Sequence, residues 1–302
     1  MSEIPPPANP PTPTNPNEAW RNFTVTSPIG ACKVTREDLK RLYRLINEKQ
    51  IEHRDRVIAR LSQTEQETQE AFNTRVQLVR NAFITTLKIT GANGQVVTGH
   101  GENIFDSPLL PERIVSISYD TSFSPTAILK YTPSNRATVL LDFSQPKPLS
   151  MAVQPSAPTP NNSNFLVTAE VESWSTSLTT RLRDFFTEKG TSVNWLHGPA
   201  TYDALLFPLG LPFALWGGYR LGSIITNANW PSPLIFGIYV YAFLFVLNIF
   251  RCMFMYARWI YPKIELIAAT STKQSTHKAI LTVVLLGILA SAVWDGIKSA
   301  FL

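Results

Sequence analysis

Leu234–Tyr256 reads LIFGIYVYAFLFVLNIFRCMFMY, 23 residues whose only strongly polar members are Asn248 and Arg251. At about 1.5 Å per residue such a helix is about 34 Å long, enough to cross a hydrocarbon core of roughly 30 Å. The stretch predicts a membrane span and sets the reading of the rest of the chain.

Two further apolar stretches flank it. Ala204–Thr226 (ALLFPLGLPFALWGGYRLGSIIT) is apolar but broken by Pro208 and Pro212, which a membrane helix tolerates when neighbours satisfy the freed carbonyls. Gly210, Ala214, Gly218 and Gly222 recur in it every four residues. Small residues at that spacing let helix backbones approach closely, so they are candidate helix-packing positions, within one chain or between copies. Ala279–Trp294 (AILTVVLLGILASAVW) is short. Extended towards Leu302 it takes in Asp295 and Lys298, three apart on one helix face; a re-entrant helix is the alternative. The spans are predicted at 203–226, 234–256 and 279–301.

Ionisable groups are costly in lipid, so Arg220, Asn248, Arg251, Asp295 and Lys298 are the candidate membrane-embedded polar residues. The arginines fall near segment ends, where a long side chain can reach the headgroups.

Loop charge predicts the orientation. Asn227–Pro233 is uncharged, whereas Ala257–Lys278 carries Arg258, Lys263, Lys273 and Lys278 against Glu265 alone. The positive-inside rule puts the second loop in the cytosol and the first outside, with the N-terminal domain cytosolic. Trp195, Trp230, Trp259, Tyr261 and Trp294 fall near segment ends, as an interfacial belt does. MSEIPPPANPPTPTNPNEAW has neither a basic start nor an apolar core, so insertion is expected to rely on the C-terminal helices.

Ahead of the apolar third, composition changes. Residues 1–200 hold 20 Lys+Arg and 19 Asp+Glu, and residues 201–302 hold 7 and 3, so the excess positive charge belongs to the apolar end. A nearly neutral domain argues against a nucleic-acid partner. Residues 1–32, with eight prolines in the first 28, read as a disordered tail. Residues 33–82 read as an amphipathic helical segment, through Leu39, Leu42 and Ile46 and later Phe72, Val76, Val79 and Phe83. Its interleaved charges are those of a solvated face. Residues 83–195 read as an α+β domain. Its strands are placed at Phe83–Thr90, Gln95–Thr98, Ile114–Tyr119, Ala127–Tyr131, Ala137–Phe143 and Phe165–Val171, with a turn at Gly91–Gly94. A closing helix over Ser173–Lys189 carries Trp174, Leu178, Leu182, Phe185 and Phe186 on one side. The predicted fold is therefore an α+β soluble domain, made of N-terminal amphipathic helices, an antiparallel sheet and a C-terminal helix. An all-α transmembrane region of two to three helices follows it.

Chemical signatures are absent. There is no GxSxG, P-loop, GxGxxG, HExxH or paired CxxC, and Cys32 and Cys252 form neither a disulfide framework nor a metal spacing. His53, His100, His197 and His277 are scattered. His100-Gly101-Glu102 ends a strand, and Asp106, Asp120 and Asp142 have no evident partners. No catalytic, cofactor-binding or metal residue is assigned, and no cofactor is expected. Three roles are compatible with the layout. The first is a multi-pass protein of the cell membrane whose cytosolic domain binds a ligand or a protein partner and is coupled to, or anchored by, the helices. The second is a homo-oligomeric channel or membrane-disrupting effector gated by that domain. The third is a membrane enzyme with an unrecognised site. The expected partners are the lipid bilayer, further copies of the chain, and a membrane or cytosolic protein.

Overall fold

Side chains that alternate apolar and polar along a strand give a sheet one face to bury and one to leave open. In the computed structural model, which describes residues 22–145, 154–226, 230–267, 276–283, 287, 290 and 294, that alternation builds a six-stranded antiparallel sheet. Its strands are β1 (Phe23–Pro28), β3 (Thr86–Gly91), β4 (Val96–His100), β5 (Ile114–Asp120), β6 (Arg136–Asp142) and β7 (Asn164–Ala169), in the order β1-β7-β6-β5-β3-β4. Leu87, Ile89, Ile117, Tyr119, Val139, Leu141, Phe165 and Val167 all point to one buried face. Two helices, α1 (Arg36–Ala59) and α4 (Glu172–Glu188), fill the same core through Leu39, Leu42, Ile46, Trp174, Leu178 and Leu182. The α+β reading of this part holds.

Local chemistry fixes the ends of these elements. Thr35 caps α1 in a capping box: its Oγ1 accepts from the Asp38 amide at 3.1 Å, and the Asp38 carboxylate accepts from the Thr35 amide at 2.9 Å. Burial alone would raise the Asp38 carboxyl, but the Thr35 amide and the Lys189 ammonium at 2.9 Å hold it below its ordinary value. Beyond a polar break, Thr68 caps α2 (Gln69–Ala82). The β3–β4 turn depends on Gly94, whose φ of +81° is a glycine conformation.

Two expectations change. In the stretch Ala127–Tyr131, expected as a strand, residues 127–129 instead end α3 (Phe123–Leu129), and Lys130 follows as its left-handed C-cap. Asp120 Oδ1 accepts the Ser122 and Phe123 amides at 2.7 and 3.2 Å, turning the chain out of β5 into a helix that a run of β-formers conceals. Residues 23–28, inside the expected tail, form the edge strand β1; its Thr-Val-Thr alternation pairs with β7 in register from Phe23↔Ala169 to Pro28↔Asn164.

The chain divides into two compact units. The first comprises residues 1–144, 161–194 and 264–267. It includes a small parallel pair, β2 (Cys32–Val34) with β8 (Ile264–Leu266), in which Ile264 enters the core and Lys33 meets Glu265 at 3.4 Å.

The second unit comprises residues 145–160, 195–263 and 268–302. In it the backbone is helical from 201 to 226, as α5 (Thr201–Leu205), a π-helical turn (Leu206–Gly210) and α6 (Leu211–Thr226). The π turn contains Pro208, and Pro212 follows within the first turn of α6. A wider turn of this kind is a known way for a helix to absorb proline without breaking. Next comes α7 (Ser232–Ile260), 29 residues, with Pro233 in its first turn where a missing N–H does no harm. Among the described residues α7 is the one helix long and apolar enough to cross a membrane, and only 11% of its most apolar window is buried.

Candidate functional site

The α6–α7 pair is held together where glycine removes bulk. A methyl group built on Gly210 would fall within 2.9 Å of the Phe250 ring, and one on Gly217 within 3.0 Å of Val246. One on Gly222 would lie 2.7 Å from the Tyr239 hydroxyl, and Ala214 is fully buried. Gly218 differs: a methyl there meets nothing within 4 Å. Gly217, which the four-residue spacing passes over, faces α7 in its place. The outward sides carry Phe207, Leu215, Tyr219, Phe236, Tyr241 and Leu244, all exposed. Apolar side chains turned away from any protein core are what lipid tails would cover.

Of the polar residues expected to be membrane-embedded, the three that are described do not converge. Arg220 lies exposed on α6 with its guanidinium 5.4 Å from the Trp216 ring centroid. Asn248 is exposed on α7, and Arg251 is half-buried. Asp295 and Lys298 lie outside the described residues.

Arg258, which sequence reading treats as a loop charge, is the most deeply held cation of this unit among the described residues. It is 0% exposed near the end of α7, with its guanidinium 4.6 Å from the centre of the Phe254 ring. Nε donates to the Leu196 carbonyl at 2.9 Å, Nη1 to Ala157 at 2.9 Å and Nη2 to Gly198 at 3.3 Å. No carboxylate pairs with it among the described residues. Three carbonyls satisfy the planar donor fork, as they must when a guanidinium leaves water. Segment 156–160 is thereby bound to the base of the helices. Ser156 donates to Asp203 at 2.7 Å and accepts the Ala200 amide, and the Thr159 hydroxyl lies 2.9 Å from His197 Nδ1. Burial, and next the Arg258 charge, lower the His197 pKa to about 4. A lone arginine after an apolar run gives no sequence signal of this role, because its three partners are backbone carbonyls distant in sequence.

In the first unit the acidic candidates are each engaged. Asp106 pairs with Lys40 at 2.9 Å, Glu102 with Arg44 at 2.6 Å, Asp120 accepts the Ser122 and Phe123 amides in the turn ahead of α3, and Asp142 accepts the Ser144 and Asn162 amides. No group of three or more His, Cys, Asp or Glu that could hold a metal ion occurs among the described residues. His53 is buried against Phe83 and Trp174, with Nδ1 3.1 Å from the Asn135 amide nitrogen and Nε2 without a hydrogen-bond partner. One concave feature of this unit, of about 400 Å³, lies between α1 and α4; another is an open groove of about 420 Å³ between the end of β1 and the end of α4. Ile29, Phe165 and Phe186 make its apolar wall; Arg183, Thr187 and Asn194 offer polar groups. An arrangement of this kind can receive a peptide or small ligand, and it contains no paired acid and base for chemistry.

No protein-family model, no curated protein and no solved structure matches the chain.

Proposed function

We propose that the chain is a multi-pass membrane protein whose cytosolic α+β domain binds a ligand or protein partner and is coupled to the bilayer by the α6–α7 hairpin. The observation that carries this reading is the pairing of β8 with β2. Residues 264–266 complete the unit that holds residues 32–34, so both lie on one side of any membrane. The chain between 194 and 264 then crosses an even number of times. With α7 crossing once, the helical run 201–226 supplies the return crossing; at about 1.5 Å per residue its 26 residues reach about 39 Å. The exposed apolar sides of the hairpin support the same reading, and the loop charges that remain once Arg258 is buried, Lys263, Lys273 and Lys278 against Glu265, favour a cytosolic domain.

The test is single-cysteine labelling in a chain with Cys32 and Cys252 replaced by serine, using an impermeant thiol reagent. A cysteine at 60 is expected to react only in opened cells and one at 229 in intact cells. Carbonate at high pH is expected to leave the protein in the pellet. Reaction of 60 and 229 from the same side, or release by carbonate, rules the reading out. Loss of a bound partner on Arg183→Glu, with membrane retention unchanged, would place the binding function at the groove.

A further inference from the structure

Resting on the multi-pass reading above, we propose that the side of α7 turned away from α6 is a self-association surface. On it a second copy of the chain seats its own α7, with the two Asn248 amides hydrogen-bonded across a two-fold axis.

Asn248 is out of place on that side. Phe245 is the midpoint of the apolar stretch 234–256, so at about 1.5 Å per residue Asn248 lies about 4.5 Å from the centre of the bilayer. It is exposed, and its side chain makes no hydrogen bond among the described residues. An amide carries two N–H donors and a carbonyl acceptor, and a lipid tail can meet none of them. Arginine and lysine can extend from such a depth to the headgroups, but the asparagine side chain is too short. A polar group held there is costly unless another polar group faces it.

The residues in line with it form a seam. Each residue advances about 100° around a helix, which sets Asn248 about 200° from Val246, the residue that meets Gly217 of α6. Gly237, Tyr241, Leu244 and Asn248 recur at i, i+4, i+7 and i+11 on that far side, and all four are exposed. Alternate steps of four and three residues are those by which two helices interlock along their length. A methyl built on Gly237 meets nothing within 4 Å. Side chains lean towards the helix N-terminus, so a partner's Tyr241 ring is carried towards the level of Gly237, where the absent side chain leaves it room. The seam ends at Asn248. The next position, Arg251, would set two like charges against each other, so the helices part beyond it.

Topology names the occupant. Every copy inserts with the same orientation, so two α7 helices lie parallel, and equal positions meet about the two-fold axis. Asn248 is thus presented with itself. An amide is its own complement: the N–H of one donates to the carbonyl of the other, in both directions. A helix of a different protein would have to supply a matching polar group at the same depth, and a second copy does so by construction. One asparagine in such a seam also fixes the register and the number of helices.

The test uses the full chain in native membranes, with Cys32 and Cys252 replaced by serine. Leu244→Cys is expected to oxidise to a covalent dimer, whereas Phe236→Cys, exposed on another side of α7, is expected to stay monomeric. Adding Asn248→Leu to Leu244→Cys is expected to lower the dimer yield about threefold or more. Asn248→Gln, which keeps a self-complementary amide, is expected to retain most of it. Equal cross-linking at 244 and 236, or a yield that Asn248→Leu leaves unchanged, overturns the proposal. So does cross-linking of 244 to a different protein in place of a second copy. Such a failure in a chain that resists carbonate leaves the multi-pass reading intact. If carbonate releases the chain, that reading falls and this one falls with it.

Discussion

Two buried side chains, His53 and Arg258, give the sharpest tests at the residue scale. Burial, then the Arg56 and Arg60 charges, push the His53 pKa from its ordinary 6.5 to about 4. The neutral ring accepts from Asn135, and a proton on Nδ1 would set two donors face to face. The folded form therefore stays neutral between pH 6.5 and 4 while the unfolded chain takes up a proton. This group adds nothing to pH dependence above about 6.5. Below it, stability falls as pH falls, by about 1.4 kcal/mol per unit, levelling off below about 4. Urea unfolding of the full chain followed by tryptophan fluorescence at pH 7 and pH 5 measures this, and His53→Leu is expected to flatten the dependence. Arg258→Met leaves three carbonyls without their donor, that of Leu196 buried and those of Ala157 and Gly198 part-buried, and is expected to cost about 3 kcal/mol, seen as a lower melting midpoint in detergent. Arg258→Lys should recover little of it, because one ammonium cannot span the planar fork. Neither role was legible beforehand: both depend on backbone groups or rings that folding brings in from far along the chain.

At the scale of elements, the hairpin separates glycines that matter to packing from one that does not. Gly210→Ala forces a methyl into the Phe250 ring and is expected to lower the hairpin's thermal midpoint in detergent. Gly218→Ala enters open space, so it should leave the midpoint unchanged or raise it slightly, since alanine favours a helix by up to about 1 kcal/mol over glycine. Equal effects at the two positions would contradict the observed packing. The amphipathic helices and most strands were legible because burial leaves a period of 3.6 or 2 in the sequence. Residues 127–131 misled because Ala, Ile, Leu and Tyr suit either period and the deciding interaction, the Asp120 turn, precedes them. β2 and β8, three residues each, are too short to leave any period.

At the scale of the whole molecule, the chain leaves the α+β unit and returns to it more than once. Segment 145–160 departs between β6 and β7, and 195–263 departs between α4 and β8. Charging the buried β8 position with Ile264→Asp is expected to destabilise the α+β unit by about 3 kcal/mol, although the residue lies beyond α7. Denaturant unfolding of the full-length variant in detergent, followed by tryptophan fluorescence, measures this. An unchanged midpoint would show that β8 is dispensable. Sequence composition separates an apolar third from a polar remainder, but it cannot show that the polar part is closed by a strand from the other side of the apolar stretch.

That closing strand has a consequence for biosynthesis. A ribosome making this chain delivers β2 some 230 residues before β8, and both arms of the hairpin lie between them. The α+β unit cannot be finished until the hairpin has been translated, so on the proposed two-crossing topology a nascent chain in which only one arm crosses would hold residues 264–266 across the bilayer from their partner. On that topology, closure of the globular part reports that both arms have crossed. Molecules with one arm uncrossed would keep an unfilled seam beside Cys32, open to thiol reagents and to the quality-control machinery.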